Sequence, residues 1–186
     1  MKDNIKICIL GLGYVGLPLA IEFGKKYNTT GFDISNKRIS ELKKFKDRTK
    51  EVSEKDFIRA KNLKFTSNPK LISYSNFIIV TVPTPITKNK KPDLGPIQSA
   101  CNIIGTNLKS GSIIVFESTV YPGLSEEVCV PILERISGLK WKKDFFIGYS
   151  PERINPGDSK RTLTSITKVI SGDIKQTLNI IDQVYS

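Results

Sequence analysis

The sequence predicts an α/β fold, a Rossmann-type doubly wound and mainly parallel sheet with helices on both faces, and three observations predict it. Short apolar runs alternate with longer helical patterns along the whole chain. One run, Phe77-Ile78-Ile79-Val80-Thr81-Val82, is apolar at all but one position, as in strands covered on both faces of a parallel sheet. Another, Ile5 to Leu10, passes directly into Gly11-Leu12-Gly13-Tyr14-Val15-Gly16 and then into a helical apolar pattern, the strand, turn and helix that open a βαβ unit. At 186 residues and 39% hydrophobic content the chain can bury one full core, so one domain over 1–186 is expected.

The elements follow in order. Thr29 to Ile34 reads as the second strand, and Ser35 to Phe45 as a helix. A charged helical stretch runs from Ser53 to Ala60, before a short strand at Leu63 to Thr66. The strand Phe77 to Val82 ends in Pro83-Thr84-Pro85, which cannot extend a ladder and so turns into a loop at the carboxyl edge of the sheet. Asp93 is a candidate N-cap for a helix to about Leu108. Ser112 to Glu117 is the next strand, followed by Ser118-Thr119-Val120-Tyr121-Pro122-Gly123 and a helix carrying Glu126 and Glu127 in its first turn, ending near Ile136. Phe145 to Tyr149 is a strand leading into Ser150-Pro151-Glu152-Arg153-Ile154-Asn155-Pro156-Gly157-Asp158. A strand at Lys168 to Ser171 and a helix from Asp173 to the end complete the chain.

The glycine spacing has a chemical meaning. Gly11 permits the tight turn out of the strand, Gly13 lets backbone amides approach a pyrophosphate, and Gly16 lets the helix pack closely on the sheet. An anion then rests on the helix N-terminus, where free N–H groups and the helix dipole favour it. Asp33 stands 22 residues after Gly11, where a carboxylate would accept hydrogen bonds from an adenosine ribose; it could also cap the helix that begins near Ser35. An acid there disfavours a 2′-phosphate, so NAD is expected over NADP, although Arg38 is a residue type that could bind such a phosphate.

Other classes are excluded by composition. Histidine is absent, which removes a histidine general base and any histidine metal ligand, and no metal site is expected. There is no Tyr-x-x-x-Lys pair of the short-chain dehydrogenase kind. Cys8, Cys101 and Cys129 are widely spaced, with no C-x-x-C, and read as small core residues. The net charge of +11 could suggest nucleic acid, but the eleven basic residues between Lys37 and Lys64 are interleaved with Glu41, Asp47, Glu51, Glu54 and Asp56 and carry no nucleic-acid motif. A solvated lysine-rich face that draws in anionic ligands is the expected meaning. No apolar run approaches 18 residues and no signal-peptide pattern opens the chain, so a cytoplasmic protein without membrane partners is expected.

Taken together, the motifs resemble the UDP-glucose/GDP-mannose dehydrogenases, which oxidise C6 of a nucleotide sugar to a carboxylate in two NAD-dependent steps. The resembling features are G-L-G-Y-V-G-L-P-L-A from Gly11, F-D-I from Phe32, V-P-T-P from Val82, E-S-T-V-Y-P-G from Glu117 and S-P-E-R-I-N-P-G-D from Ser150, in family order over essentially the whole chain. The last is similar to the branch acting on UDP-N-acetylhexosamines, whose products feed surface polysaccharide such as capsule; UDP-N-acetylglucosamine and UDP-N-acetylgalactosamine stay open, with a UDP-glucose enzyme or a free-standing NAD-binding regulatory module as alternatives.

Carried over by position, the resemblance implies that Gly11, Gly13, Tyr14, Val15 and Gly16 hold the pyrophosphate, and Asp33 and Arg38 the ribose. Val82, Pro83, Thr84 and Pro85 would line the path to the nicotinamide, which Ser118 and Thr119 would border. Thr119 would help position a catalytic water, Glu152 would serve proton transfer, and Glu152 with Arg153 would meet the substrate. Thr119 could also be a strand-end hydroxyl bonding the backbone, and Glu152 a partner of Arg153 or a lysine. The resemblance further implies a nucleophilic cysteine in a G-F-G-G-x-C motif, catalytic lysine and asparagine on a following helix, a second nucleotide-sugar domain and a full-length homodimer. None of those motifs is in this chain, and Lys175 and Asn179 match only the spacing of the lysine and asparagine. The expectation is an amino-terminal cofactor domain, inactive alone.

Overall fold

The computed structural model describes residues 4–87, 89–152 and 167–186. Seven strands form one sheet in the order β3-β2-β1-β4-β5-β6-β7: β1 (Lys6–Leu10), β2 (Asn28–Phe32), β3 (Leu63–Thr66), β4 (Phe77–Val80), β5 (Ser112–Phe116), β6 (Phe145–Tyr149) and β7 (Ser171–Gly172). The first six are parallel, and β7 joins β6 antiparallel.

Both faces of the sheet are buried, and the pleat sorts the side chains. Ile7 and Ile9 of β1, Phe77 and Ile79 of β4, and Ile113 and Val115 of β5 enter one core. Their neighbours Cys8, Leu10, Ile78, Val80, Ile114 and Phe116 enter the other. The first core is closed by α1 (Gly16–Lys26), α3 (Glu54–Arg59) and α6 (Lys175–Tyr185), and the second by α4 (Gly95–Asn107) and α5 (Val130–Ser137). In α1 the buried positions Leu17, Ala20, Ile21 and Gly24 recur at helical spacing, and Pro18 lies in the first turn, where its missing N–H is not needed.

Several boundaries differ from the sequence expectation. The strands at Thr29 to Ile34 and Phe77 to Val82 end earlier, at Phe32 and Val80; Ile34 is exposed, and Pro83 has no N–H to continue a ladder. Ser35 caps α2 (Asn36–Lys43) by accepting from the Arg38 N–H. Asp93 is not the cap of α4: that position is Leu94, and Asp93 accepts from the Gly95 N–H in a local turn. A π-helical turn, Ser125–Cys129, precedes α5 where a single helix was expected. The last strand is Ser171–Gly172 rather than Lys168–Ser171, and Lys168, outside it, pairs with Glu117.

The three cysteines are free and buried, as expected. No helix among the described residues is long and apolar enough to cross a membrane.

Candidate functional site

The sheet changes direction of winding between β1 and β4, and a cleft opens there beyond their carboxyl ends, where ligands of open α/β sheets bind. It encloses about 260 Å³ between the turn Gly11 to Val15, the β4 exit Thr81 to Thr84, the β5 exit Glu117 to Thr119, and Glu152.

The turn is built by contacts that admit little variation. Gly11 has φ +99°, which an L side chain rarely adopts. A Cβ on Gly16 would overlap the Gly11 carbonyl oxygen and the Thr81 hydroxyl, so only glycine lets α1 start this close to β1 and β4. Gly13 is the reverse: a Cβ there would meet no protein atom within 4 Å. The space its hydrogen faces is open, and Val15 at the start of α1 makes no side-chain capping bond, so the helix N-terminus is left for an outside anion. This fits a pyrophosphate. Tyr14, 43% exposed, stands at the rim.

The Asp33 carboxylate organises the neighbouring corner. Oδ2 accepts from the Leu12 N–H at 2.9 Å, tying the glycine turn to the end of β2, and Oδ1 accepts from the Ser35 N–H at 2.9 Å. Asp33 is thus not the helix cap, which is Ser35, and its carboxylate, bonded to two amides, still has lone pairs for hydroxyl groups. Asp33 also borders a second, apolar cavity of about 500 Å³ walled by Leu10, Phe32, Ile34, Val82, Pro83 and, from α4, Pro96, Ala100 and Ile103. The apolar chamber and the cleft thus adjoin at Asp33 and Gly11, which line both.

Hydroxyl groups bind the loops of the opposite wall. Thr81 Oγ1 donates to the Gly11 carbonyl at 2.7 Å, Ser118 Oγ to the Val82 carbonyl at 2.8 Å, and Thr84 Oγ1 to the Thr119 carbonyl at 2.6 Å. Thr119 is exposed and lines the cleft together with Glu152. Behind it, the buried Glu117 carboxylate accepts from the Tyr185 hydroxyl at 2.8 Å and pairs with Lys168. Burial pushes the Lys168 ammonium down to about 8, against the pull of the Glu117 charge. Burial first, and then the Glu152 charge, push the Tyr185 phenol well above its ordinary value.

The structure therefore gathers Gly11, Gly13, Tyr14, Val15, Asp33, Val82, Pro83, Thr84, Ser118, Thr119 and Glu152 around one cleft. Pro85 stands outside it, its carbonyl accepting from the Asp93 N–H. Arg38 is turned inward: its Nε donates to the Leu12 carbonyl and its Nη2 to Asp47, each at 2.8 Å. Arg153 lies outside the described residues. Sequence reasoning missed Thr81, the apolar chamber around Ile34 and Ala100, and the Glu117–Lys168–Tyr185 cluster. Thr81, the one polar residue in the apolar run of β4, carried a signal; the cluster joins residues too far apart in sequence to give one.

Comparison with known proteins agrees over the whole chain. The model of the UDP-glucose/GDP-mannose dehydrogenase family, NAD binding domain, matches residues 5–186. The chain is 55% identical to UDP-N-acetyl-D-glucosamine 6-dehydrogenase of Salmonella typhi, over 98% of this chain and 43% of that protein. It is 52% identical to protein CapL of Staphylococcus aureus, over 98% and 43%. Among solved structures, the UDP-D-ManNAc dehydrogenase of Pyrococcus horikoshii superposes with a TM-score of 0.88 at 30% identity, over 97% of this chain and 44% of the other. The chain spans less than half the length of these relatives.

Proposed function

Because this chain belongs to the UDP-glucose/GDP-mannose dehydrogenase family, we propose that it is the NAD-binding domain of a longer, homodimeric enzyme that oxidises C6 of a UDP-N-acetylhexosamine to the uronic acid for surface polysaccharide. The apolar chamber that adjoins the cleft at Asp33 and the glycine turn carries this reading. In it the chamber takes the adenine, Asp33 the ribose and the Gly11 to Val15 turn the pyrophosphate, which leaves Ser118, Thr119 and Glu152 for the nicotinamide ring and the sugar carbon.

NAD supplies the hydride acceptor. In this assignment the chamber of Ile34, Pro83 and Ala100 excludes water around the adenine, and Asp33 accepts from the ribose hydroxyls. The amides of the turn and the α1 N-terminus hold the pyrophosphate. Thr119 orients a water, and Glu152, near the partly apolar cleft wall, moves a proton at the reacting carbon's oxygen. The likeness to the Salmonella enzyme favours UDP-N-acetylglucosamine as substrate, and the likeness to CapL favours a capsule-type product. None of the buried Cys8, Cys101 and Cys129 is assigned a catalytic role; the nucleophilic thiol belongs to the rest of the enzyme, so this chain binds NAD without turnover.

The test is calorimetric titration of NAD and NADP into the chain and its Asp33→Ala variant, with NADH formation followed for the full-length enzyme on UDP-N-acetylglucosamine, UDP-N-acetylgalactosamine and UDP-glucose. Wild type should prefer NAD, and Asp33→Ala should lose about 1–3 kcal/mol of NAD affinity. Unchanged affinity in Asp33→Ala would remove the ribose assignment, and exclusive turnover of UDP-glucose would remove the substrate class.

A further inference from the structure

We propose that Thr81 is a positioning residue of the dinucleotide site: its hydroxyl fixes the peptide between Gly11 and Leu12 in the orientation that presents the Leu12 N–H to Asp33, and so sets the carboxylate that meets the ribose. The proposal rests on the reading of the cleft as the NAD site.

That one peptide unit is held at both ends. Its carbonyl, on Gly11, accepts from Thr81 Oγ1 at 2.7 Å, and its N–H, on Leu12, donates to Asp33 Oδ2 at 2.9 Å. The two holders come from opposite sides of β1, since Thr81 directly follows β4 and Asp33 directly follows β2. The carbonyl and the N–H of a trans peptide point in opposite directions, so a donor on one side and an acceptor on the other admit a single orientation of the plane.

Glycine makes this clamp necessary. Gly11 has φ +99° and no Cβ, so its backbone offers little steric resistance to rotation of the plane that follows it. A plane turned over would bring a carbonyl oxygen toward the Asp33 carboxylate in place of an N–H, and Asp33 would lose one of the two amides that orient it. The Thr81 hydroxyl selects against that state.

Thr81 is buried and already bonded through its backbone, its N–H donating to the Leu10 carbonyl at 2.9 Å. Its hydroxyl lies 3.1 Å from that same oxygen but 2.7 Å from the Gly11 carbonyl, and the single hydroxyl proton belongs to the shorter contact. A hydroxyl donating to a carbonyl also polarises the peptide and strengthens its N–H as a donor. The chain of bonds therefore runs from Thr81 through the peptide to Asp33.

The experiment compares wild type, Thr81→Ser and Thr81→Ala, each with and without Asp33→Ala, by titrating NAD into the full chain calorimetrically, and by NMR where binding is millimolar. Serine and alanine differ here by the hydroxyl alone. Thr81→Ser should bind NAD within about twofold of wild type, and Thr81→Ala about five- to tenfold more weakly than Thr81→Ser, the range of one hydrogen bond. In the Asp33→Ala background that difference should shrink to about twofold or less. A merely structural role would lower the melting temperature of Thr81→Ala and leave its NAD affinity equal to that of Thr81→Ser. Equal affinity in those two variants, or a difference that persists undiminished without Asp33, overturns the proposal. If Thr81→Ala does not fold, Thr81→Cys, whose thiol is a weak donor, replaces it with the same expected results. Wild type that binds no NAD overturns the cofactor site and this proposal together, whereas NAD-binding wild type with equal affinities in the two variants overturns the proposal alone.

Discussion

The Tyr185 hydroxyl donates a 2.8 Å hydrogen bond to the Glu117 carboxylate across 68 residues of sequence. It joins the end of α6 to the residue that follows β5, directly behind Ser118 and Thr119. With Lys168 on the other oxygen, the charge of a buried carboxylate is balanced by one cation and its second oxygen is hydrogen-bonded by one phenol.

Removing these partners should be graded. Tyr185→Phe leaves one Glu117 oxygen without its donor and should lower unfolding stability by about 1–3 kcal/mol. Lys168→Met leaves the charge itself unpaired and should lower it by roughly 3–5 kcal/mol. Urea unfolding of the two variants measures the difference; a Lys168→Met loss no larger than that of Tyr185→Phe would mean that the ion pair is not what holds Glu117.

The two glycines of the turn should fail in opposite ways. Gly16→Ala forces a methyl into the Gly11 carbonyl and Thr81 hydroxyl, and should lose about 1–3 kcal/mol of stability or more. Gly13→Ala adds a methyl that meets no protein atom, so its melting temperature should stay near that of wild type while NAD affinity falls by about tenfold or more. Thermal melts paired with NAD titration separate the two effects.

Acid should erase the contribution of Asp47. Burial pushes its carboxyl up, but hydrogen bonds from Thr49, Arg38 and Glu51 outweigh that and hold it below the usual carboxylate range. A carboxyl with a depressed native pKa stabilises the fold fully above its unfolded value and loses that contribution as pH falls toward its native one. Asp47→Asn should therefore be less stable than wild type by about 3 kcal/mol at neutral pH, with the gap closing as pH falls below about 4. Denaturant unfolding of both proteins across that range checks the sign.

Thiol chemistry should be silent in the native state. Burial pushes the Cys8 thiol up to about 12, and the neighbouring Cys129 thiol together with burial pushes Cys101 up as well. Iodoacetamide at neutral pH should leave all three cysteines unmodified until denaturant is added, by mass spectrometry. Rapid native labelling of any one would mean that its element opens readily.

Much of this fold could be read from local pattern, and the particular successes have local causes. The Gly11 to Gly16 turn, the helix start near Ser35 and the apolar runs of β4 and β6 depend on neighbours within a few residues, which is the range over which spacing carries information. Strand ends were harder. Ile34 and Val82 continue an apolar pattern yet leave the ladder to wall the apolar chamber, a role that depends on α4 rather than on their own neighbours. Asp93 looked like a helix cap because its Asx turn uses the same chemistry one residue too early. Arg38 shows the limit most clearly. Its position after Asp33 suggests a ribose ligand, and only the fold of the 47–52 loop reveals that Asp47 also holds its guanidinium.

The central place of β1 bears on how the chain reaches this state. Its partners on one side, β2 and then β3, complete a three-stranded half within the first 66 residues. On the other side Ile7 must find Phe77, a parallel pairing that closes a long loop before it gains any contact. The half carrying the glycine turn and Asp33 can thus assemble first, during synthesis, while the Thr81 clasp and the wall bearing Thr119 arrive only when β4 and β5 dock. Until then one edge of β1 stands open, and that interval is when the chain is most exposed to pairing with another copy of itself.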